Sequence, residues 1–203
     1  MSALAAAPLV LASASRARAL LLRQAGLEVI TDPAGIDEAG IKASCQAAAR
    51  DPADCALMLA EAKAARVADR HAGTLVIGAD QLLVCGAAWF DKPGDHAGAR
   101  RQLQRLAGKR HELVTAVVVC RDRTVLWRHV ERPALTMRRF DERFLDAYLA
   151  AAGDSVLGAV GAYELEGLGV QLFERIEGDY FSILGLPLLP LLGFLRQAHA
   201  VAA

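Results

Sequence analysis

At 203 residues, with 54% apolar and 23% charged side chains, the chain can bury a sizeable core without disulfide or metal staples. Its 23 basic and 23 acidic residues cancel, which removes the broad cationic field that a nucleic-acid backbone requires. A small anionic ligand needs only a local basic cluster. Cys45, Cys55, Cys85 and Cys120 form no CxxC pair, so the chain reads as a protein of a reducing compartment. The histidines show no paired-ligand spacing for zinc. Residues 1–14 are uncharged but lack a basic leader, since Arg16 and Arg18 come after them. Residues 183–195 are apolar, yet short of the ~20 needed for a span and broken by Pro187 and Pro190. Both segments read as core, and the expectation is a cytoplasmic protein with neither membrane nor nucleic acid as partner.

Residues 9–12 predict a first strand, followed by the helix-start residues Ser13-Ala14-Ser15. Arg18, Leu21, Leu22 and Ala25 then recur at helical spacing, and Gly26 is the stop. Val29 and Ile30 lead into a loop through Pro33 and Gly35 to Asp37 and Glu38. Residues 52–70 predict a helix with Ala56, Leu59, Ala60, Lys63 and Val67 on one stripe. Residues 75–79 predict a buried strand with Asp80 and Gln81 at its C-terminal end, continued by 82–84. After a turn at Gly86 and the segment Asp91-Lys92-Pro93-Gly94, Ala99, Leu103 and Leu106 mark a helix closed by Gly108. Residues 113–120 and 124–129 predict a hairpin around Arg121-Asp122-Arg123, and 135–138 extend the sheet. Leu145, Tyr148 and Leu149 belong to a helix capped near Asp141. Residues 170–176 predict a strand and 186–199 a terminal helix entered through Pro187. The expected class is α/β with a mixed sheet, in one domain spanning 1–203.

Ser13-x-Ser15-x-x-Arg18 sits where a strand hands over to a helix, and free N–H groups there make a phosphate cradle. Arg18 can add a bidentate contact; the ordinary alternative is a capping serine beside a solvated arginine. Lys63 interrupts an apolar stripe, either to aim an ammonium at phosphate or to snorkel to water. Asp80 emerges from a buried strand, where a carboxylate can ligate a hard cation or deprotonate water, or can merely cap a turn. Glu38, Glu164, Glu166 and Lys92 read individually as solvated loop charges.

The ensemble is more specific. Leu11-Ala-Ser-Ala-Ser-x-x-Arg18, Ile36-Asp-Glu38, Leu59-Ala-x-x-Lys63-Ala64, Gly78-Ala-Asp80, Lys92-Pro93, Gly161-Ala-Tyr163 and Ile176-Glu-Gly-Asp-Tyr180 with Gly185-Leu-Pro187 resemble, in order, the motif series of the Maf proteins. The likeness runs from about Leu9 to Leu195. It implies an elongated Maf/inosine-triphosphatase-like fold, a mixed central sheet flanked by helices, with a nucleotide cleft between two lobes. It also implies a nucleoside triphosphate pyrophosphatase releasing NMP and pyrophosphate, a divalent cation (Mg²⁺ or Mn²⁺), and often a homodimer. Carried over, Ser13, Arg18, Lys63 and Lys92 hold the triphosphate. Glu38 and Asp80 serve the metal and the water, with Asp80 as general base and Lys63 counted among the catalytic residues too.

Gln81 and Glu166 resemble the branch acting on 7-methyl-GTP, where the dTTP/UTP branch has threonine and glutamine. Arg16 and Ala17 depart from the family pattern, which has proline and then arginine or tryptophan there. The family's association with septum inhibition supplies a second reading, a nucleotide-binding regulator of cell division with little turnover. Against it stand Glu38, Asp80 and both lysines, since a pure binder needs no base. A P-loop protein is excluded because no GxxxxGK[ST] segment is present.

Overall fold

The three-residue strand β1 (Leu9–Leu11) is buried throughout and lies parallel to both β2 (Val29–Thr31) and β3 (Val76–Cys85) in the computed structural model, which describes residues 8–201. A strand with a parallel neighbour on each side and cover on both faces has no polar position, which is why its sequence is an unbroken apolar run. The remaining elements are α1 (Arg16–Gln24), α2 (Glu38–Ala47), α3 (Pro52–Ala68), β4 (Ala88–Phe90), α4 (His96–Leu106), β5 (Arg110–Arg121), β6 (Thr124–Glu131), β7 (Ala134–Met137), α5 (Glu142–Ala152), β8 (Phe173–Glu177), α6 (Tyr180–Ile183) and α7 (Leu188–Gln197). The eight strands form one open, mixed sheet in the order β2-β1-β3-β5-β7-β8, with β4 paired to β3 and β6 to β5. Seven α-helices flank it among the described residues, and the fold class is α/β as expected. None of these helices is long and apolar enough to cross a membrane.

The chain divides into two compact units. The first holds the described residues up to Gln81, then Thr115–Glu131, then those from Gly185; the second holds Leu82–Val114 and Arg132–Leu184. In the first, Asp51 caps α3 by accepting from the Ala53 amide at 2.7 Å, with Pro52 at the first helical position. The buried stripe of α3, running through Ala56, Leu59, Ala60, Lys63, Ala64 and Val67, repeats every three or four residues. That stripe meets β3 at Gly78, where an added Cβ would lie 2.8 Å from the Ala64 amide nitrogen and closer still to the Ala60 carbonyl. Glycine is required there by close backbone approach. In the second unit Leu83, Leu103, Leu106, Leu135, Met137 and Leu145 make the centre of a core of their own. His111 is buried within this unit against the Tyr163 hydroxyl, 2.8 Å from its Nε2.

Three expectations need correction. Glu38 is not in a loop: it opens α2, whose start Asp37 caps by accepting from the Gly40 amide at 2.9 Å. Only Cys45 of α2 is buried, so the helix has no apolar stripe to betray it. Asp80 and Gln81 do not end a strand; β3 runs through them unbroken because both find side-chain partners. The segment read as a strand from 170 begins instead with a 3₁₀ turn, Leu168–Leu172, and the strand starts at Phe173. Two further elements, β4 and α6, have no counterpart in the sequence reading because they are too short to carry a periodic signal.

Candidate active site

Lys63 and Asp80 meet because α3 lies so close to β3 at Gly78. On a strand, alternate side chains share a face, so Asp80 emerges on the same side as position 78, toward α3. Lys63 Nζ donates to Asp80 Oδ1 at 2.6 Å and stands 2.8 Å from Glu38 Oε1. Lys63 is 7% exposed and Asp80 4%, whereas the Glu38 side chain is 47% exposed. A buried ammonium is thus held between a buried carboxylate and a half-exposed one at a helix N-terminus. The other oxygen, Asp80 Oδ2, is buried without a hydrogen-bond partner among the described residues. Buried carboxylate oxygens are ordinarily satisfied, so this one stands out as an exception.

Arg18 closes the cluster. Its Nε donates to the Gly185 carbonyl at 2.7 Å, and its Nη1 donates to the Ala79 carbonyl at 2.9 Å and to Ser13 Oγ at 3.2 Å. Burial pulls its pKa below the ordinary arginine value, and the negative charges of Asp80 and Glu38 oppose that shift. Two cations and two anions therefore share one small region, and the field is balanced before a ligand enters. Ser15 caps α1 in the ordinary way, accepting from the Arg18 amide at 3.4 Å, while Ser13 accepts from the Ser15 amide and from Arg18. Of the two readings of this motif, Ser15 follows the capping one and Arg18 is buried rather than solvated.

Ser13, Arg18, Glu38, Lys63 and Asp80 are brought together within the first unit. Gln81 leaves the opposite face of β3 and donates through Nε2 to Thr115 Oγ1 at 2.8 Å. Lys92 and Glu166 belong to the second unit, each exposed on a loop. Glu166 sits near Glu164, whose carboxyl is raised first by partial burial and then by the Glu166 charge. Sequence reasoning missed the carbonyls of Gly185 and Ala79 as anchors of Arg18, and Thr115 as the partner of Gln81. Only the glycine in Gly185-Leu-Pro187 carried any signal: its φ of +99° suits glycine, and a Cβ there would lie 3.2 Å from Arg18 Nε.

With this cluster in place, the pattern of the Maf-like protein family matches residues 8–198. The chain belongs to the Maf family. Among its Maf relatives, one from Granulibacter bethesdensis is 54% identical over 95% of this chain and 98% of its own length, and is named a nucleoside triphosphate pyrophosphatase. One from Paramagnetospirillum magneticum carries the same name at 56% identity, over 93% of this chain and 97% of its own. A third, from Brucella abortus, is 50% identical over 95% of this chain and 97% of its own, and is named a 7-methyl-GTP pyrophosphatase.

As for a metal, no group of three or more His, Cys, Asp or Glu residues converges among the described residues. A hard divalent ion that keeps several waters needs only one or two carboxylates plus phosphate oxygens. Glu38 and the unpartnered Oδ2 of Asp80 meet that requirement.

Proposed function

We propose that this Maf protein hydrolyses a nucleoside triphosphate to the monophosphate and pyrophosphate. The observation that carries the reading is the Lys63 ammonium shared by Asp80 and Glu38 while Asp80 Oδ2 stays buried and unpartnered. The names of relatives above 50% identity support it. Water attacks the α-phosphorus, the bond from that phosphorus to the bridging oxygen breaks, and pyrophosphate leaves. Asp80 orients the water and takes its proton, for which an oxygen without a protein partner is suited. Lys63 and Arg18 counter the charge that spreads over the phosphate oxygens, and they do so without reorganising, because carbonyls and carboxylates already hold them. Glu38 and Asp80 are the residues that would hold Mg²⁺ or Mn²⁺, which when bound neutralises phosphate charge.

The finer reading is a 7-methylated guanine. Gln81 and Glu166 occupy the positions that distinguish the 7-methyl-GTP branch, and a relative of that name is 50% identical. A carboxylate beside a positively charged 7-methylguanine favours it over neutral bases. Lys92 and Ser13 complete the triphosphate contacts in this reading. The test is a panel of triphosphates, 7-methyl-GTP, UTP and dTTP among them, with Mg²⁺ or Mn²⁺ and separation of products. Nucleoside monophosphate and pyrophosphate are expected as first products; nucleoside diphosphate and phosphate would overturn the reading.

A further inference from the structure

Two of the four cysteines lie at the seam between α2 and α3, and a methionine joins them. Cys45, near the end of α2, and Cys55, in the first turns of α3, are both 0% exposed. Cys45 Sγ donates to Met58 Sδ at 3.8 Å, and Cys55 is buried on the same packed helix pair, near enough to Cys45 for that residue to raise its thiol. Cys55 and Met58 are three residues apart on α3 and so share a face. Three sulfurs from two helices therefore converge on one place. Met58 is 42% exposed, so the third sulfur belongs to a side chain that also reaches solvent.

Thiolate and thioether donors select soft, thiophilic ions, whereas the carboxylates at Glu38 and Asp80 suit hard ones. Sulfurs that share one ion at the ~2.3 Å of a metal–thiolate bond stand roughly 3.8–4.0 Å apart. The Cys45–Met58 separation falls at that spacing without any movement. We propose that Cys45, Cys55 and Met58 form a binding site for one soft monovalent cation of the Cu(I) type.

Burial first, and the neighbouring Cys45 second, push the Cys55 thiol up to about 12, so it keeps its proton until an ion arrives, while Cys45 carries the S–H that it donates to Met58. Binding then replaces two S–H bonds by two metal–sulfur bonds and adds a thioether donor. Two protons leave to solvent for each ion, and a site of two thiolates and one monovalent cation carries a net single negative charge. The ordinary alternative is that the three sulfurs only pack the helix seam, as buried cysteine and methionine often do. The proposal is independent of the hydrolase reading, because none of its ligands belongs to the Lys63 cluster.

The test titrates the reduced full-length chain with Cu(I), supplied as its acetonitrile complex without oxygen, against a chromogenic Cu(I) chelator. One Cu(I) per chain and about two released protons are expected, with X-ray absorption showing sulfur neighbours alone at about 2.3 Å. Cys45→Ser should remove the binding. Met58→Leu, which conserves volume at a half-exposed position, should weaken it about tenfold or more, the order of loss from weakening a metal's surroundings. Cys85→Ser, outside the cluster, should leave it unchanged. Failure of the chain to withdraw Cu(I) from the chelator would overturn the proposal, and so would equal binding in the parent and Met58→Leu. The methionine variant keeps the test decisive even if Cys45→Ser does not fold.

Discussion

Lys63 Nζ lies 2.6 Å from Asp80 Oδ1, while Oδ2 of the same carboxylate is buried with no partner among the described residues. One oxygen is held by the protein and the other is not. This asymmetry sets what each substitution in the cluster should do.

Asp80→Asn keeps the size of the side chain and loses the proton acceptor and one anionic oxygen. The expected outcome is nucleotide binding with kcat reduced by roughly 10²–10⁴, the contribution of a general base. Steady-state rates under saturating Mg²⁺ or Mn²⁺ check it, and a near-normal kcat would remove Asp80 from this role.

Lys63→Ala strands a buried carboxylate. Breaking a buried ion pair from one side costs about 3–5 kcal/mol, and Glu38, being half exposed, can recover part of its share by hydration. Both stability and turnover should therefore fall. Replacing both partners, as Lys63→Met with Asp80→Leu, should restore most of the stability and none of the activity. Denaturant midpoints for Lys63→Met, Asp80→Leu and the double variant form the cycle; additive losses would show that the pair is not coupled.

Gly185→Ala acts on Arg18 from a distance in sequence. Its φ of +99° disfavours any L side chain, and the new Cβ would press on Arg18 Nε at 3.2 Å. A strained backbone position costs about 1–3 kcal/mol. The guanidinium should also lose its fixed place, raising KM for the triphosphate. Thermal melting beside kinetics distinguishes the two effects, and an unchanged KM would show that the Gly185 carbonyl does not position Arg18.

His111 makes stability depend on pH in the second unit. Burial lowers it to about 4, from an ordinary value near 6.5. Above pH 6.5 both the folded and the unfolded chain carry it neutral, so its stability contribution is fully present. As pH falls from 6.5 toward 4, the unfolded chain takes up the proton and the folded one does not, so stability is lost across that window. The loss amounts to about 3 kcal/mol when complete. Denaturant midpoints at pH 7.5 and 5 should differ more in the parent than in His111→Gln, and identical differences would exclude His111 as the cause.

Glu166→Gln should shrink any preference for 7-methyl-GTP over UTP and dTTP if the exposed carboxylate reads the methylated base. Ratios of kcat/KM report it directly, and comparable ratios in the parent protein would already exclude the assignment.

Local patterns determined much of the architecture. The stripe of α3, the apolar run of β1 and the β5–β6 hairpin were legible because each rests on neighbours a few residues away. So was membership of the cluster: Ser13, Arg18, Glu38, Lys63 and Asp80 were all singled out by residue type and motif. Their pairing was decided only by tertiary structure. Lys63 and Asp80 are 17 positions apart and Arg18 is 167 from Gly185, so no helical or strand period relates them. The same contacts carried β3 through Asp80 and Gln81, where polarity alone suggested an end, because burial of a polar group is tolerated once its partner is in place. In α2 the converse held: a helix burying only Cys45 leaves no pattern in its own sequence, and its position against α3 exists only in the folded chain.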